Sequence, residues 1–447
     1  MPVRYGGGRR NSETLLAVQA FEYRLAFLPF GPVSSLVMLR QSVRSLTLCM
    51  LVLSALSAAE RKAVFPTGGI KPVGPYSPGI LAGDFLYVSG QGARDGSNKM
   101  ADDPAARVRQ CLNNVKAIVE GAGLTMEHVV YTQVYLHSTV SYDVLNQVWP
   151  EFFPKNPPAR ATLGVFRMPT ETTVEINAVA VRDLAKKKPV MPASFPKNWP
   201  IAPGVLAGDR LFISGLLGRD PASGQIPADP AAQVQLALDR VKAVLNAAGM
   251  DFRHMVFVNP YLTAKMPMKV MNEVYAKHFE FGNTPARATI PVSFLPHGGN
   301  IEFTGVAIRD LSKRRAVRPK NMPPSPTASP CVWADDTLYC SAKAGFIPGP
   351  NGGIFADRVE DQVRQTLRNL LDGLEEAGLD FSNAVASNVY LDTIDDFAKM
   401  NGVYSKYFPA GAPPTRTTVS PLAPVDRVRA ESGHFPKLEE ISIVAVK

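Results

Sequence analysis

The sequence predicts an α+β protein built from three tandem copies of one unit of about 120 residues, and three repeated phrases carry this prediction. The first phrase, AGD-x-L-[YF]-[VI]-SG, occupies residues 82–90 and 207–215 and returns as ADDTLYCSA at 334–342. The second is PPARATLGVF, TPARATIPVSF and PPTRTTVSPL, and the third is VEINAVAVRD, IEFTGVAIRD and EEISIVAVK. Each unit is long enough to bury its own core, so we predict three whole domains.

The elements of the first copy follow from local patterns. ILAGDFLYVSG places Gly83-Asp84 between two apolar strands and predicts a hairpin. Asp103 suits an N-cap and Pro104 the first turn of a helix that ends within EGAG. VVYTQVYL predicts a strand, SYDVLNQVWPEFF a second amphipathic helix, and ARATLGVF and TVEINAVAV two closing strands. The predicted order is ββ(β)αβαββ, with helices on one face of each sheet and three sheets covering one another around a shared centre.

The N-terminal segment indicates that the protein is exported, and it is not expected to be part of a folded domain. From Met38 the chain reads MLRQSVRSLTLCMLVLSALSAAERK, in which Arg40 and Arg44 precede an apolar run and a set of small residues. This order is typical of a signal peptide at 38–59, and the apolar run is short for a membrane span. We therefore expect a secreted or periplasmic protein with an upstream extension at 1–37; the alternative is a buried N-terminal helix. The predicted domains are 60–186, 187–314 and 315–447.

Charge and cysteine usage exclude some classes of function. The chain has 48 Lys+Arg against 39 Asp+Glu, a net charge of +9. Part of this excess lies in the runs AKKKP and SKRRAVRPK, which predict solvated linkers rather than a nucleic-acid surface. No pair of cysteines has CxxC spacing and the histidines are scattered, so no metal site is expected.

Two cysteines of the third copy flank a predicted hairpin. In CVWADDTLYC, a turn at Asp335-Asp336 places Cys331 opposite Cys340, just as Gly83-Asp84 pairs residues 79 and 88 in the first copy. An oxidising compartment favours a disulfide here, and the alternative is two small buried apolar side chains.

The unit resembles the RidA (YjgF-type) family of enamine/imine deaminases in all three copies. The matching phrases include GPYSPG, VSGQ, LNNVKAIVEGAG, PPAR and VEINAVAV, and the likeness extends from about residue 66 to residue 447. The resemblance implies a chorismate-mutase-like fold. It also implies an assembly of three units around a central barrel, with ligand clefts between neighbours. The chain would then be a monomer with internal pseudo-threefold symmetry.

The resemblance also assigns a site, and the chemistry of a 2-imino acid agrees with it. An arginine would clamp the substrate carboxylate, and a glutamate would hold or activate water. Arg160, Glu175 and Tyr76 are the expected catalytic residues, and Arg160 and Glu175 are expected to face each other on paired strands. The alternative is a structural salt bridge. The expected substrate-binding residues are Ser89, Gly90, Asn146, Thr162, Gly215, Asn272, Arg287, Thr289, Glu302, Asn401, Arg416 and Glu440.

The three copies differ at these positions. Ile201 and Ala328 stand where the first copy has Tyr76, and Ala342 stands where it has Gly90. If the clefts form between units, only one of them can contain the tyrosine. The cysteine that the family often has two residues after the arginine is threonine in every copy, at Thr162, Thr289 and Thr418.

Two functions remain open. One is cofactor-independent hydrolysis of small 2-imino or 2-enamino acids to 2-oxo acids and ammonia. The other is non-catalytic binding of small carboxylates such as 2-oxo acids by the same arginines.

Overall fold

The computed structural model describes residues 61–447 except 67–68, 198, 221–222, 321, 349–352 and 432. The predicted extension and signal peptide at 1–59 lie outside the described residues. No helix in the part of the chain that is described is long and apolar enough to cross a membrane.

The described chain contains three large sheets, each with two α-helices, and a separate two-stranded sheet. We number the domains by the three large sheets. In each domain two strands form a hairpin, a helix follows, and a strand–helix–strand unit leads to a last strand. Domain 1 contains β1 (Lys62–Val64), β2 (Gly79–Ala82), β3 (Phe85–Gly92), α1 (Pro104–Gly121), β4 (Val129–Leu136), α2 (Tyr142–Phe152), β5 (Ala159–Gly164) and β6 (Val174–Val181). Domain 2 contains β7 (Lys187–Val190), β8 (Gly204–Ala207), β9 (Arg210–Leu217), α3 (Pro230–Ala247), β10 (Met255–Leu262), α4 (Met268–Tyr275), β11 (Ala286–Arg287), β12 (Ile290–Pro291) and β13 (Ile301–Ile308). Domain 3 contains β14 (Arg314–Val317), β15 (Cys331–Ala334), β16 (Thr337–Lys343), β17 (Phe346–Ile347), β18 (Ile354–Phe355), α5 (Val359–Glu376), β19 (Ala384–Leu391), α6 (Phe397–Tyr404), β20 (Thr415–Val419) and β21 (Glu439–Val446).

The strand order is the same in all three sheets, and it is mixed. In domain 1 it is β1-β2-β3-β6-β4-β5, in which β5 pairs with β4 in parallel and the other pairs are antiparallel. A helix connects β4 to β5, and a helical crossover is the usual link between parallel strands. The local signals for α1 are confirmed, because Asp103 Oδ2 accepts from the backbone N–H of Ala106 at 2.9 Å and Pro104 is the first helical residue.

Each sheet is buried on both faces, which explains why its strands are apolar almost throughout. One face packs on the helices of its own domain, and these give three separate cores. The other face contributes to one core shared by all three domains, in which Phe85, Phe212 and Tyr339 take part. At this centre Gln133 Nε2 donates to the hydroxyls of Tyr135 (2.7 Å) and Tyr261 (2.8 Å) from two different domains.

The predicted arrangement of three domains is confirmed, but the expected central barrel takes a different form. Among the described residues, the three sheets keep separate hydrogen-bond ladders and do not close into one barrel. Strand pairing between the sheets is limited to isolated bridges such as Gly164 with Phe294 and Arg167 with Ser420. The centre is therefore made by packed side chains, and this leaves gaps between the sheets at the domain interfaces.

A basic residue at the start of each domain, in its first strand or directly before it, anchors that domain to a neighbour. Arg61 donates to the carbonyls of Ala384 (2.9 Å from Nη2) and Ala412 (2.6 Å), so domain 1 contacts domain 3 although no covalent link joins them there. The same pair of backbone contacts recurs at the other two interfaces, from Lys187 to Glu127 and Asn156, and from Arg314 to Met255 and Asn283. The three domains thus form a cycle.

The predicted hairpin register of domain 3 is confirmed. Cys331 lies opposite Cys340 and the two form a disulfide, while Cys111 is a buried free thiol. The matching register in domain 1 pairs Gly79 with Val88, as expected.

We expect non-reducing peptide mapping of protein made in an oxidising compartment to recover Cys331 linked to Cys340. The replacement Cys331→Ala with Cys340→Ala is expected to lower the free energy of unfolding by about 2–3 kcal/mol, because the bond closes a short loop in the unfolded chain. Chemical denaturation of the oxidised protein and of the double variant measures this difference. Recovery of both residues as free thiols from oxidised protein would contradict the prediction.

Candidate functional site

The strand order separates two residues that the sequence was expected to bring together. Arg160 lies on β5, whose partner is β4, whereas Glu175 lies on β6 and pairs with Tyr135 on the other edge of β4. The expectation that Arg160 and Glu175 face each other is therefore wrong. The helix between β4 and β5 makes those two strands parallel neighbours and prevents a β5–β6 hairpin.

Each arginine instead meets the glutamate of a neighbouring domain. We name the three interfaces by the domains that supply first the arginine and then the glutamate. Cleft 1–2 contains Arg160 and Glu302, cleft 2–3 contains Arg287 and Glu440, and cleft 3–1 contains Arg416 and Glu175.

A buried serine positions each arginine from across the interface. In cleft 3–1, Ser89 Oγ donates to the carbonyl of Ser77 (2.6 Å) and accepts from the backbone N–H of Arg416 (3.0 Å). Its hydroxyl is thus used in holding the two backbones together, so Ser89 positions Arg416 rather than offering a free hydroxyl to the cavity. The same two hydrogen bonds are made by Ser214 with Ala202 and Arg160, and by Ser341 with Ser329 and Arg287.

An aromatic residue of the second helix packs against each guanidinium, and in two of the clefts an asparagine three positions earlier accepts a hydrogen bond from it. Asn146 Oδ1 accepts from Arg160 Nη2 at 2.6 Å, and the guanidinium lies 4.5 Å from the ring of Trp149. A flat ring under a guanidinium fixes its plane and leaves the outward N–H groups for a ligand. In cleft 2–3, Asn272 Oδ1 accepts from Arg287 Nη1 at 2.8 Å and the ring of Tyr275 lies 5.0 Å from the guanidinium. In cleft 3–1, the ring of Tyr404 lies 4.9 Å from the guanidinium of Arg416, whereas the side-chain oxygen of Asn401 has no hydrogen-bond partner among the described residues.

Cleft 3–1 contains the only tyrosine at the Tyr76 position. Tyr76, Gly90 and Glu175 of domain 1 and Arg416 and Thr418 of domain 3 line one cavity of about 60 Å³. The guanidinium of Arg416 lies 5.3 Å from the ring of Tyr76, and both Arg416 and Glu175 are buried. Within the described chain, Arg416 Nη2 and the side-chain oxygens of Asn401 and Thr418 have no hydrogen-bond partner.

The carboxyl group of Glu175 is held in an apolar setting. Burial raises the pKa of Glu175 to about 8, although the backbone N–H of Thr418 and the charge of Arg416 act in the opposite direction. Gly90 is required beside it, since a Cβ at Gly90 would collide with Glu175 Oε1. Burial also raises the pKa of Tyr76, so its phenol is neutral and can donate a hydrogen bond.

Cleft 1–2 is larger and more basic. Its cavity of about 240 Å³ is lined by Arg160, Asn146 and Thr162 of domain 1 and by Gly215 and Glu302 of domain 2. Ile201 lies in this cavity at the place of Tyr76, as the sequence indicates. Three further polar or charged residues, which the sequence did not single out, also line it: Arg219, Arg240 and His297.

In cleft 2–3 the glutamate does not occupy the position that Glu175 has in cleft 3–1. Ala342 stands at the place of Gly90, and its Cβ excludes Glu440 from the position that Glu175 occupies. Glu440 Oε2 instead lies 2.6 Å from Lys437 Nζ. Arg287 Nη1 keeps its bond to Asn272 (2.8 Å), and Thr289 Oγ1 has no partner among the described residues.

The structure therefore groups predicted site residues across the domain interfaces in clefts 1–2 and 3–1, rather than within single domains. The aromatic residues under the guanidinium groups were missed, although the spacing Asn-x-x-[Trp/Tyr] recurs in all three copies and could have indicated them. No group of three metal-binding side chains is formed within the described residues.

Three sheet-and-helix domains, with an arginine and a glutamate meeting across each interface, define a three-repeat protein of the RidA/YjgF class. The chain belongs to the family described as Endoribonuclease L-PSP, whose model matches residues 67–182, 198–309 and 321–430.

Relatives of this chain correspond to one domain each. A RutC family protein of Pyrococcus horikoshii is 35% identical over 125 residues, which are 28% of this chain and 99% of the relative. A RutC family protein of Saccharolobus solfataricus is 36% identical over 125 residues, 27% of this chain and 97% of the relative. Among solved structures, the YjgF gene product of E. coli is 34% identical and covers 27% of this chain and 99% of its own, with a TM-score of 0.27.

Proposed function

We propose that cleft 3–1 hydrolyses small 2-imino and 2-enamino acids to 2-oxo acids and ammonia without a cofactor. The observation that carries this proposal is the convergence of Arg416, Glu175 and Tyr76 on one cavity. Family membership supports chemistry on a small molecule. The cavity of about 60 Å³ favours short side chains on the substrate.

Arg416 is suited to bind the substrate carboxylate. Its guanidinium is planar, is buried among aromatic rings, and has an Nη2 without a partner in the described chain. A carboxylate accepts two parallel hydrogen bonds from such a group, and burial strengthens them.

Glu175 is suited to move protons during hydrolysis. With its pKa raised to about 8, the carboxyl is largely protonated at neutral pH and can donate a proton to the imine nitrogen as water adds to C2. The resulting carboxylate takes the proton that the added water loses. A second transfer through the same group protonates the amine, and the C–N bond breaks with its electron pair on nitrogen. The C2 hydroxyl then gives its proton to the Glu175 carboxylate and becomes the carbonyl of the 2-oxo acid. Water is the sole co-reactant, and the carboxyl returns to its protonated form.

The alternative is a protein that binds small carboxylates without turnover. Clefts 1–2 and 2–3 favour it, because Ile201 and Ala328 replace the tyrosine there while the arginines remain. Ammonia release from freshly generated 2-iminopropanoate separates the two functions. Glu175→Gln is expected to lower this release far more than it weakens binding of 2-oxobutanoate. Binding of 2-oxobutanoate with no ammonia release above the uncatalysed rate would favour the alternative.

We also propose that the functional unit is one chain. The cyclic contacts of Arg61, Lys187 and Arg314 close all three interfaces within a single polypeptide. Light scattering of the purified protein is expected to give the mass of one chain at micromolar concentration. A mass of two or more chains would contradict this proposal.

A further inference from the structure

Cleft 1–2 contains two arginines in addition to Arg160, the residue that corresponds to Arg287 and Arg416 in the other two clefts. Arg219 and Arg240 of domain 2 line the same cavity as Arg160 of domain 1. This cavity is about 240 Å³, compared with about 60 Å³ in cleft 3–1. A larger and more basic cavity indicates a ligand different from that of cleft 3–1.

Arg240 occupies a position that is asparagine in the other two copies. Asn114 of α1 donates to the carbonyls of Gly92 and Arg94 at 2.9 Å, and so fixes the end of the hairpin strand. Arg240 Nη1 makes the same contacts in domain 2, to Leu217 (3.1 Å) and Arg219 (3.3 Å). In domain 3, Asn369 donates to Ala344 and Phe346 at 3.0 Å.

The arginine thus keeps the structural role of the asparagine and adds further donors. Arg240 is buried, and its Nε and Nη2 have no hydrogen-bond partner in the chain as described. Arg160 Nε and Nη1 likewise are buried and have no hydrogen-bond partner among the described residues. Buried guanidinium N–H groups without acceptors are costly, so two such groups around one cavity indicate that a ligand supplies the acceptors.

The guanidinium of Arg240 is also held in place. It lies 5.0 Å from the ring of Phe195 and 5.3 Å from the ring of Trp199, and Trp199 itself lines the cavity. Stacking of this kind fixes the donor geometry before a ligand binds, which lowers the entropy lost on binding.

The acidic groups nearby do not balance the three arginines. Glu302 interacts with both Arg160 and Arg240, and burial raises the pKa of Glu302 to about 8, so this carboxyl is largely neutral at pH 7. Asp220 also interacts with Arg240. The cavity therefore keeps an excess of positive charge, which favours an anion with more than one charge.

We propose that cleft 1–2 binds a small organic acid with two anionic groups, one on the guanidinium of Arg160 and the other on that of Arg240. The second group is a carboxylate or a phosphate, since both accept from a guanidinium in the same way. A monocarboxylate leaves one of the two buried guanidinium groups without an acceptor, and it is therefore bound less tightly. This site lies outside cleft 3–1, so its failure would leave the imine hydrolysis proposed there untouched.

Calorimetric titration of the full chain tests the site. The probes are 2-oxoglutarate and phosphoenolpyruvate, which each have two anionic groups and which we call the dianions, and 2-oxobutanoate, the monoanion with a single carboxylate. The variant Arg240→Asn restores the residue of the other two copies and preserves the contacts with the strand. It is expected to weaken binding of at least one dianion tenfold or more, and binding of 2-oxobutanoate less than twofold. The dianion that is bound more tightly identifies the second group as a carboxylate or a phosphate.

Lys242→Asn provides the matched control, because it removes one positive charge from an exposed position of the same helix. It is expected to change dianion binding less than twofold. Dianion binding that is absent, that is unchanged in Arg240→Asn, or that falls by the same factor as 2-oxobutanoate binding would overturn the proposal. If Arg240→Asn does not fold, Arg240→Gln takes its place, with the same difference expected between dianion and monoanion.

Discussion

Arg416→Ala is expected to lower ammonia release from 2-iminopropanoate by about 100-fold, measured as kcat/KM. The change removes both hydrogen bonds to the substrate carboxylate and leaves Glu175 and Tyr76 in place, and a loss of about 3 kcal/mol of transition-state binding corresponds to this factor. Arg416→Lys is expected to recover only part of the rate, because an ammonium cannot reproduce the planar pair of donors.

Arg287→Ala provides the comparison for this prediction. It makes the same change in cleft 2–3, where Ala328 replaces the tyrosine and Glu440 is bound to Lys437. Its effect on the rate is expected to be far smaller than that of Arg416→Ala. Equal losses in the two variants would contradict the assignment of the reaction to cleft 3–1.

The free energy of unfolding is expected to fall as the pH rises from 5 to 8. Burial raises the pKa values of Glu175, Glu302 and Glu439 to about 8 in the folded protein, whereas a glutamate in the unfolded chain titrates near ~4.3. Between about pH 4.3 and pH 8, each of these carboxyl groups is largely protonated in the folded state and largely ionised in the unfolded state. Each such carboxyl therefore contributes stability that is fully present below about pH 4 and is lost as the pH rises towards 8, by up to about 1.4 kcal/mol per pH unit.

Denaturant unfolding at pH 5, 6, 7 and 8 measures this slope. Glu175→Gln replaces the carboxyl by a neutral group of the same shape. It is expected to reduce the slope of unfolding free energy against pH by the contribution of one carboxyl group. Glu376→Gln, at an exposed position, is expected to leave the slope unchanged. A slope that is the same in wild type and Glu175→Gln would show that Glu175 is ionised throughout this range.

Features set by neighbours along the chain could be predicted from the sequence. The cap at Asp103 and the disulfide register of Cys331 and Cys340 depend on turn geometry and on spacing within a few residues, so the repeated phrases were sufficient. The presence of Tyr76 in one copy alone likewise follows from aligning the three copies.

The partner of each site residue could not be predicted in the same way, because it depends on which strands and domains become neighbours. Glu175 lies in a cleft with Arg416, which is 241 positions away along the chain, rather than with Arg160. The parallel pairing of β4 with β5 was, however, available from the helix between them. The role of Arg240 required knowledge of the interface, although its difference from Asn114 and Asn369 is visible in the sequence.

Two of the three interfaces lie between domains that are consecutive in the chain, and the third, between domains 3 and 1, is closed by non-covalent contacts such as those of Arg61. The three domains therefore form a closed ring in space, although they are linear in their covalent order. Closure within one chain is favoured by the high effective concentration of two tethered ends, and it is the closure that assembles cleft 3–1. A chain opened at this point would expose complementary surfaces at its two ends, and opened chains would join head to tail into larger rings or filaments that form cleft 3–1 between molecules.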